Sequence, residues 1–342
     1  SMDPIFCKQI HLLFFSVRLL SLYTMKVILP GGSGQIGSAL AARLHSEGHE
    51  VVVLSRHEFS APWQVIQWDT HSLGSWATEL DGADIVINLA GRSVNCRYNA
   101  SNRLEIKNSR VRTTQLIGDA INLCQSPPSL WLNSSTATIY SHRYDAPNDE
   151  ITGIPGSLDT QSPSTWRFSI DVAESWEKAV DEYKLPSTRV VKLRTSMVMG
   201  PAKGGVFDVF VGLAQKGLGG TLGDGRQFVS WIHEEDFIRA ILWIIESQSI
   251  SGPVNICAPH PLPNSDFMRE LRQVCRVPFG LPASKWMLEI GTFFMRTETE
   301  LILKSRRVVP SRLIDSGFTF NHPTWARAVE DLYRNWKTMT SR

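Results

Sequence analysis

Lys26-Val27-Ile28-Leu29-Pro30-Gly31-Gly32-Ser33-Gly34-Gln35-Ile36-Gly37 decides how this chain is read. A short apolar run predicts a buried strand, and the stretch from Ser38 to Ser46 predicts a helix. Between them stand three glycines in the spacing Gly31-x-x-Gly34-x-x-Gly37. A strand, a glycine loop and a helix in that order suit the binding of a diphosphate. The first glycine permits the tight turn, the second lets the backbone approach the phosphates, and the third lets helix and strand pack closely. The helix N-terminus adds free N–H groups and the positive end of its dipole. Gly31, Gly32, Ser33, Gly34, Gln35, Ile36 and Gly37 are therefore expected to cradle a dinucleotide.

The next strand, Val51-Val52-Val53-Leu54, ends in Ser55-Arg56, with no acid until Glu58. An Asp or Glu at this place would bond the ribose hydroxyls of NAD, whereas a cation favours the 2′-phosphate of NADP. Arg56 offers a planar fork and Ser55 a hydroxyl, so NADP(H) is the expected cofactor. Further apolar runs at Val65-Ile66, Ile85 to Asn88, Leu130 to Leu132 and Val190 to Leu193 alternate with helical stretches near 100–123 and 166–183. Continuously apolar strands separated by helices predict an α/β fold, a Rossmann-like doubly wound parallel sheet covered on both faces. Beyond about residue 200 the chain turns Gly/Pro-rich, and short helices near 235–247, 264–275, 284–295 and 323–337 predict a smaller, mainly helical lobe. The expected division is 25–200 for the cofactor domain, with a later crossing back of the chain, and 201–342 for the substrate lobe.

Residues 1–24 stand apart. Their apolar runs are broken by Lys8, His11 and Arg18 and are too short to span a membrane. The favoured reading is an extension outside the fold, with the domain starting at Met25; an organellar transit peptide is the alternative. Thirty-five Lys+Arg against 33 Asp+Glu leave a net charge of +2, which gives no field for nucleic acid or a membrane surface. Five scattered cysteines without a CxxC pair point to reduced thiols, no metal site and a cytoplasmic setting.

Several further motifs resemble one family. Asp69 follows the third strand, where short-chain dehydrogenase/reductase enzymes place an Asp near the adenine, and Asn88-Leu89-Ala90-Gly91 is similar to their N-x-A-G signature. Asn133-Ser134-Ser135-Thr136-Ala137-Thr138-Ile139-Tyr140 resembles a stretch of the extended, nucleotide-sugar epimerase branch, as does Leu193 to Pro201. Gly223-Asp224-Gly225-Arg226-Gln227, Ser230-Trp231-Ile232-His233 and Val308-Val309-Pro310-Ser311 narrow the likeness to the atypical extended group of epimerase family proteins, over about Met25 to Trp336. That resemblance implies NADP(H) held by Gly31 to Gly37, Ser55, Arg56, Asp69, Leu89, Ala90, Gly91, Glu105, Arg110 and Val198. It also implies Thr136 at the catalytic Ser/Thr position, a small-molecule substrate, and a homodimer formed through the helices near 100–123 and 166–183.

The chain departs from its relatives where chemistry is concerned. None of its six tyrosines has a lysine four residues on, and Phe168 or Ser169 with Val172 or Ala173 fills the place of the Tyr-x-x-x-Lys pair. Thr136 alone remains, with capping of a strand end as its structural alternative. Val229 stands where nucleotide-sugar enzymes carry a phosphate-binding Arg, and Met197 where they carry Asn. With Trp231, these residues predict an apolar pocket and a small, relatively apolar carbonyl or alcohol substrate. His233 matches a strand-to-helix junction in the family and is expected to be structural. Two functions follow: an NADP(H)-dependent oxidoreductase or epimerase-like enzyme, or a silent NADP(H)-binding regulatory protein.

Overall fold

A computed structural model describes residues 23–94, 96, 98–160, 163, 166–283 and 303–341. Most of the N-terminal extension, with Cys7, and the helix expected near 284–295 lie outside the described residues.

Strand β1 (Lys26–Pro30) leads through the glycine loop into helix α1 (Gln35–Ser46). Then come β2 (Glu50–Ser55), β3 (Gln64–Gln67), β4 (Ile85–Asn88), the long α2 (Ala100–Leu123) and β5 (Leu130–Thr136). Helix α3 (Arg167–Asp181) and β6 (Arg189–Thr195) complete the first half. After β7 (Met197–Met199), α4 (Val206–Gln215), β8 (Phe228–Val229) and β9 (Trp231–His233), the chain returns through α5 (Glu234–Glu246) to β10 (Gly252–Ile256). The described chain ends with β11 (Leu262–Pro263), α6 (Asn264–Cys275), the short α7 (Ser311–Asp315) and α8 (Trp325–Thr340).

Seven strands form one parallel sheet in the order β10-β6-β5-β4-β1-β2-β3. Strand alternation sorts its side chains by face. Val27 and Leu29 turn to one side, where Leu40, Leu44, Phe237, Ile241 and Ile244 of α1 and α5 cover them. Ile28, Val52, Val86 and Trp131 turn to the other, under Leu116, Ile117 and Ile121 of α2. Because both faces are covered, the strands read as continuous apolar runs. β10 escapes such a reading: Gly252-Pro253-Val254-Asn255-Ile256 begins with two residues that disfavour strands. It forms because β6 offers a free edge to its parallel register, Val254 against Leu193.

A separate apolar cluster gathers Phe207 and Val211 of α4, Phe267 and Leu271 of α6, and Trp325, Val329 and Leu332 of α8. Trp325 stacks on Phe267 at 4.0 Å between centroids, with Trp231 edge-on at 5.0 Å. Much of the tryptophan content is thus spent on packing: Trp131, Trp231 and Trp325 are fully buried.

Candidate functional site

The glycine loop places each of its glycines under a different constraint. Gly31 has φ +77°, and a Cβ there would lie 2.6 Å from the Ala90 Cα. A Cβ on Gly37 would lie 2.6 Å from the Gly32 Cα, so the third glycine lets α1 close on the turn. At Gly34 a Cβ would meet nothing nearer than 3.8 Å within the protein. Its bare backbone instead leaves room on the outer side, where a diphosphate would approach. Gly34 also caps α1 without any side-chain bond, and no acid stands in the first turn. The positive helix end is left for an external anion.

The β4 turn closes against this loop. The Leu89 N–H donates to the Pro30 carbonyl at 2.8 Å, and the Ala90 N–H donates to Asn88 Oδ1 at 3.1 Å. Asn88 is fully buried and donates through Nδ2 to Asn133 Oδ1 at 2.8 Å, joining the end of β4 to the middle of β5. Gly91 lies under the Arg110 guanidinium, whose carbon would sit 3.3 Å from a Cβ there. Arg110 donates to the Ile106 carbonyl at 2.9 Å and lies 5.1 Å over the Trp176 ring. Burial pulls its guanidinium down to about 10, and among the described residues no carboxylate offsets that burial. Glu105 is ion-paired with Arg92 on the exposed face of α2. Ile36, Leu89 and Val198 pack against one apolar cluster, and Val198 is held in register with Ile232 of β9.

At the end of β2, Ser55 is buried, and its Oγ accepts the His57 N–H at 3.3 Å. Arg56 is exposed and lines a cleft of about 410 Å³ with Gln67, Trp68 and Asp69. The Asp69 carboxylate accepts the backbone N–H groups of His71 and Ser72 and the Ser72 hydroxyl. These bonds, led by the Ser72 hydroxyl, hold it down at about 2. The carboxylate therefore shapes its own turn as well as facing the cleft.

Thr136 ends β5, and its Oγ1 accepts the Thr138 N–H at 3.2 Å, capping the short turn Ala137–Ile139. Its hydroxyl proton stays available to a ligand. At the usual Tyr/Lys place, Phe168 packs edge-on to Tyr98 at 5.2 Å, and Val172 and Ala173 are buried. Tyr140 is no substitute base. Its hydroxyl donates to Asn255 Oδ1 and accepts from Arg194, and burial pushes it up to about 12. Val229 and Trp231, expected to line an apolar pocket, are spent instead on the core of the second lobe; Met197 alone stays half-exposed.

Sequence reasoning missed the ion pair beneath this edge. Glu177 of α3 takes both prongs of Arg194 at 2.7 and 2.8 Å and also accepts the Ser135 hydroxyl at 2.7 Å. Burial alone would raise the Glu177 carboxyl, but Arg194 outweighs it and leaves it below its ordinary value. Alternation along β6 would have turned Arg194 and Lys192 to one face, a usable but weak signal.

His233 is structural, as its junction position suggests. Its Nδ1 accepts the Glu235 N–H and caps α5, so Nε2 carries the neutral ring's proton, 3.3 Å from Asp331 Oδ2. The ring stacks at 3.8 Å on His322, whose Nε2 lies 3.1 Å from Glu235 Oε2. Among the described residues, His233, Glu235 and His322 carry ligand atoms close enough for a metal, but with Nδ1 accepting the Glu235 N–H, metal at Nε2 would displace His233's proton, which is buried near Asp331 without a formed hydrogen bond. Burial, then His322, hold His233 below the ordinary imidazole value. A buried base of this kind binds its proton less readily in the folded state. Its stability contribution is full above about pH 6.5 and is lost as pH falls through its lowered value. The melting temperature of the wild type should drop on acidification across this window, and more steeply than that of His233→Asn, which retains a capping oxygen.

A parallel sheet in this order, with a glycine turn beneath a helix N-terminus, defines a dinucleotide-binding α/β protein of the extended short-chain dehydrogenase/reductase type. Residues 27–257 match the NAD dependent epimerase/dehydratase family, and residues 283–332 match a domain of unknown function, DUF1731. The chain belongs to the NAD dependent epimerase/dehydratase family. It is 30% identical to the human epimerase family protein SDR39U1 over 315 residues, covering 90% of this chain and 99% of that one. It is 29% identical to the Bacillus subtilis epimerase family protein YfhF, over 92% of this chain and 100% of that one. The crystal structure of human SDR39U1 (isoform 2) with NADPH superposes with a TM-score of 0.78 at 29% identity, over 91% of this chain and 100% of that one. Among the described residues no helix is long and apolar enough to cross a membrane.

Proposed function

We propose that this protein is an NADP(H)-dependent oxidoreductase or epimerase-like enzyme acting on a small carbonyl or alcohol. The observation that carries the reading is Arg56, exposed at the end of β2 on the cleft it shares with Asp69, with no acid in the place where NAD would need one. The NADPH in the crystal structure of human SDR39U1 supports the same choice.

The residues fit the group. The N–H groups at the start of α1, around Gly34, Gln35 and Ile36, would hold the diphosphate, with Gly31, Gly32, Ser33 and Gly37 shaping the turn. Ser55 and Arg56 would take the 2′-phosphate, and Asp69 would border the adenine. Leu89, Ala90 and Gly91 would line the ribose region, and Val198 the nicotinamide. Arg110 would meet the anion it lacks, while Glu105 would reach the cofactor only by loosening its pair with Arg92. When bound, the cofactor supplies or accepts a hydride at nicotinamide C4. The Thr136 hydroxyl would donate a hydrogen bond to the reacting oxygen and orient it. Residues 25–200 would form the cofactor domain, with α5 and β10 crossing back into it, and 201–342 the substrate lobe. Packed together on one sheet face, α2 and α3 would offer the surface for a homodimer, which sedimentation would detect.

Arg56→Ala is expected to weaken NADPH binding by about 10- to 100-fold, since hydrogen bonds to a charged group contribute about 1.5–3 kcal/mol. NADH binding should hardly change, so an unaltered NADPH/NADH affinity ratio overturns the cofactor assignment. NADPH oxidation with aldehydes, ketones and quinones then tests turnover. Thr136→Ala should lower kcat about tenfold or more while leaving the NADPH Kd in place. The missing Tyr/Lys pair favours the second reading, a silent NADP(H)-binding regulator, and turnover of any of these substrates removes it.

A further inference from the structure

His142 lies six residues after Thr136, in the chain that leaves the C-terminal end of β5. In open α/β sheets, ligands bind outside the carboxyl ends of the strands. The ring is held from several sides. Its Nδ1 accepts the Ser305 N–H at 2.8 Å, and Tyr144 and Trp166 meet it edge-on at 5.0 and 5.1 Å. Its backbone N–H donates to Asp159 at 3.2 Å. A nitrogen that accepts an N–H must carry the lone pair, so the neutral ring holds its proton on Nε2. Among the described residues that Nε2–H meets no hydrogen-bond partner and is not fully enclosed, so it opens to solvent or ligand. Burial, with Lys304 and Arg306 nearby, holds the imidazole below its ordinary value against the opposing pull of Asp159 and Asp224.

The same frame holds the Thr136 turn. Lys304 Nζ donates to the Thr138 carbonyl at 2.8 Å, and Arg306 Nε donates to the Thr138 hydroxyl at 3.2 Å. Ser305, between them, holds His142. One short segment thus fixes the capped turn of Thr136 and the tautomer of His142 together. Trp166, against the ring, stands just before Phe168 and Ser169, where a phenol is missing.

We infer that His142, through its Nε2–H, is the second hydrogen-bond donor to the substrate oxygen, opposite Thr136. The inference rests on the NADP(H) oxidoreductase reading and narrows the substrate to neutral carbonyl compounds: aldehydes, ketones or quinones. In reduction the carbonyl carbon gains the hydride, the π pair moves to oxygen, and that oxygen takes its proton from water. His142 keeps its own proton throughout and stabilises the developing negative charge.

The test compares wild type, His142→Ala and His142→Gln, with 9,10-phenanthrenequinone and benzaldehyde as probes and NADPH as reductant. His142→Ala should lose at least about tenfold in kcat/KM with the NADPH Kd unchanged, and His142→Gln, whose amide keeps a donor, should recover most of it. Equal kcat/KM in wild type and His142→Ala overturns the inference. If the wild type reduces neither probe, the oxidoreductase reading fails separately, and binding then decides the role of His142. In NADP⁺-saturated protein labelled with 15N-histidine, a shift of the His142 Nε2–H resonance on adding benzaldehyde supports the inference. An unmoved resonance overturns it.

Discussion

Replacing Arg194 with alanine should cost about 3–5 kcal/mol of folding stability. The change would leave the Glu177 carboxylate, only 8% exposed, with the Ser135 hydroxyl and Lys192 at 3.8 Å as its remaining partners. It would also remove a donor from the buried Tyr140 hydroxyl. Denaturant unfolding checks the magnitude. A further comparison separates the pair from its surroundings. Arg194→Met combined with Glu177→Leu should cost less than the sum of the two single changes, because no charge is then stranded. A strictly additive result would show that the two residues do not act as a pair. The loss should also loosen the end of β5, since Ser135, next to Thr136, donates to the Glu177 carboxylate that Arg194 holds in place.

Gly31→Ala should strike both stability and cofactor binding. Its φ of +77° costs an alanine about 1–2 kcal/mol. The added Cβ, 2.6 Å from the Ala90 Cα and 2.8 Å from the Leu89 carbonyl carbon, adds an overpacking cost of about 1–3 kcal/mol, because both contacts are backbone. Gly48→Ala is the control. Gly48 also has a positive φ, +87°, but nothing lies within 4 Å of its Cβ position, so only the conformational cost applies. The Gly31 variant should therefore melt lower than the Gly48 variant. It should also bind NADPH at least about tenfold more weakly at a temperature where both remain folded, because the β1 and β4 turns share the displaced contact. Equal NADPH affinity in the two variants would detach the glycine turn from the cofactor.

Much of this was legible along the chain because the relevant physics is local. A glycine spacing between a strand and a helix, a serine and arginine at a strand end, and apolar runs long enough to be buried on both faces all lie within a few residues of each other. The phenol–ammonium pair was likewise visibly missing, since Phe168 and Val172 stand where it would be. Expectations failed where burial had two possible destinations. Val229 and Trp231 read as a pocket lining because an apolar residue beside a ligand site and one in a lobe core look alike in sequence. Their place among Phe207, Phe267 and Trp325 follows from the packing of α4, α6 and α8.

The amino-acid sequence by itself determined the class of fold, the glycine turn at Gly31 to Gly37 as a candidate cradle, the candidate cation at Arg56 and the absence of a Tyr/Lys pair. Tertiary structure alone decided that Glu177 faces Arg194, that β10 completes the sheet, and that Ser305 fixes the proton of His142 on Nε2. The reason is separation along the chain. His142 and Ser305 are 163 residues apart, and Glu177 and Arg194 belong to a helix and a strand that meet only when the sheet is covered. Such contacts exist only once burial has removed water from between distant segments.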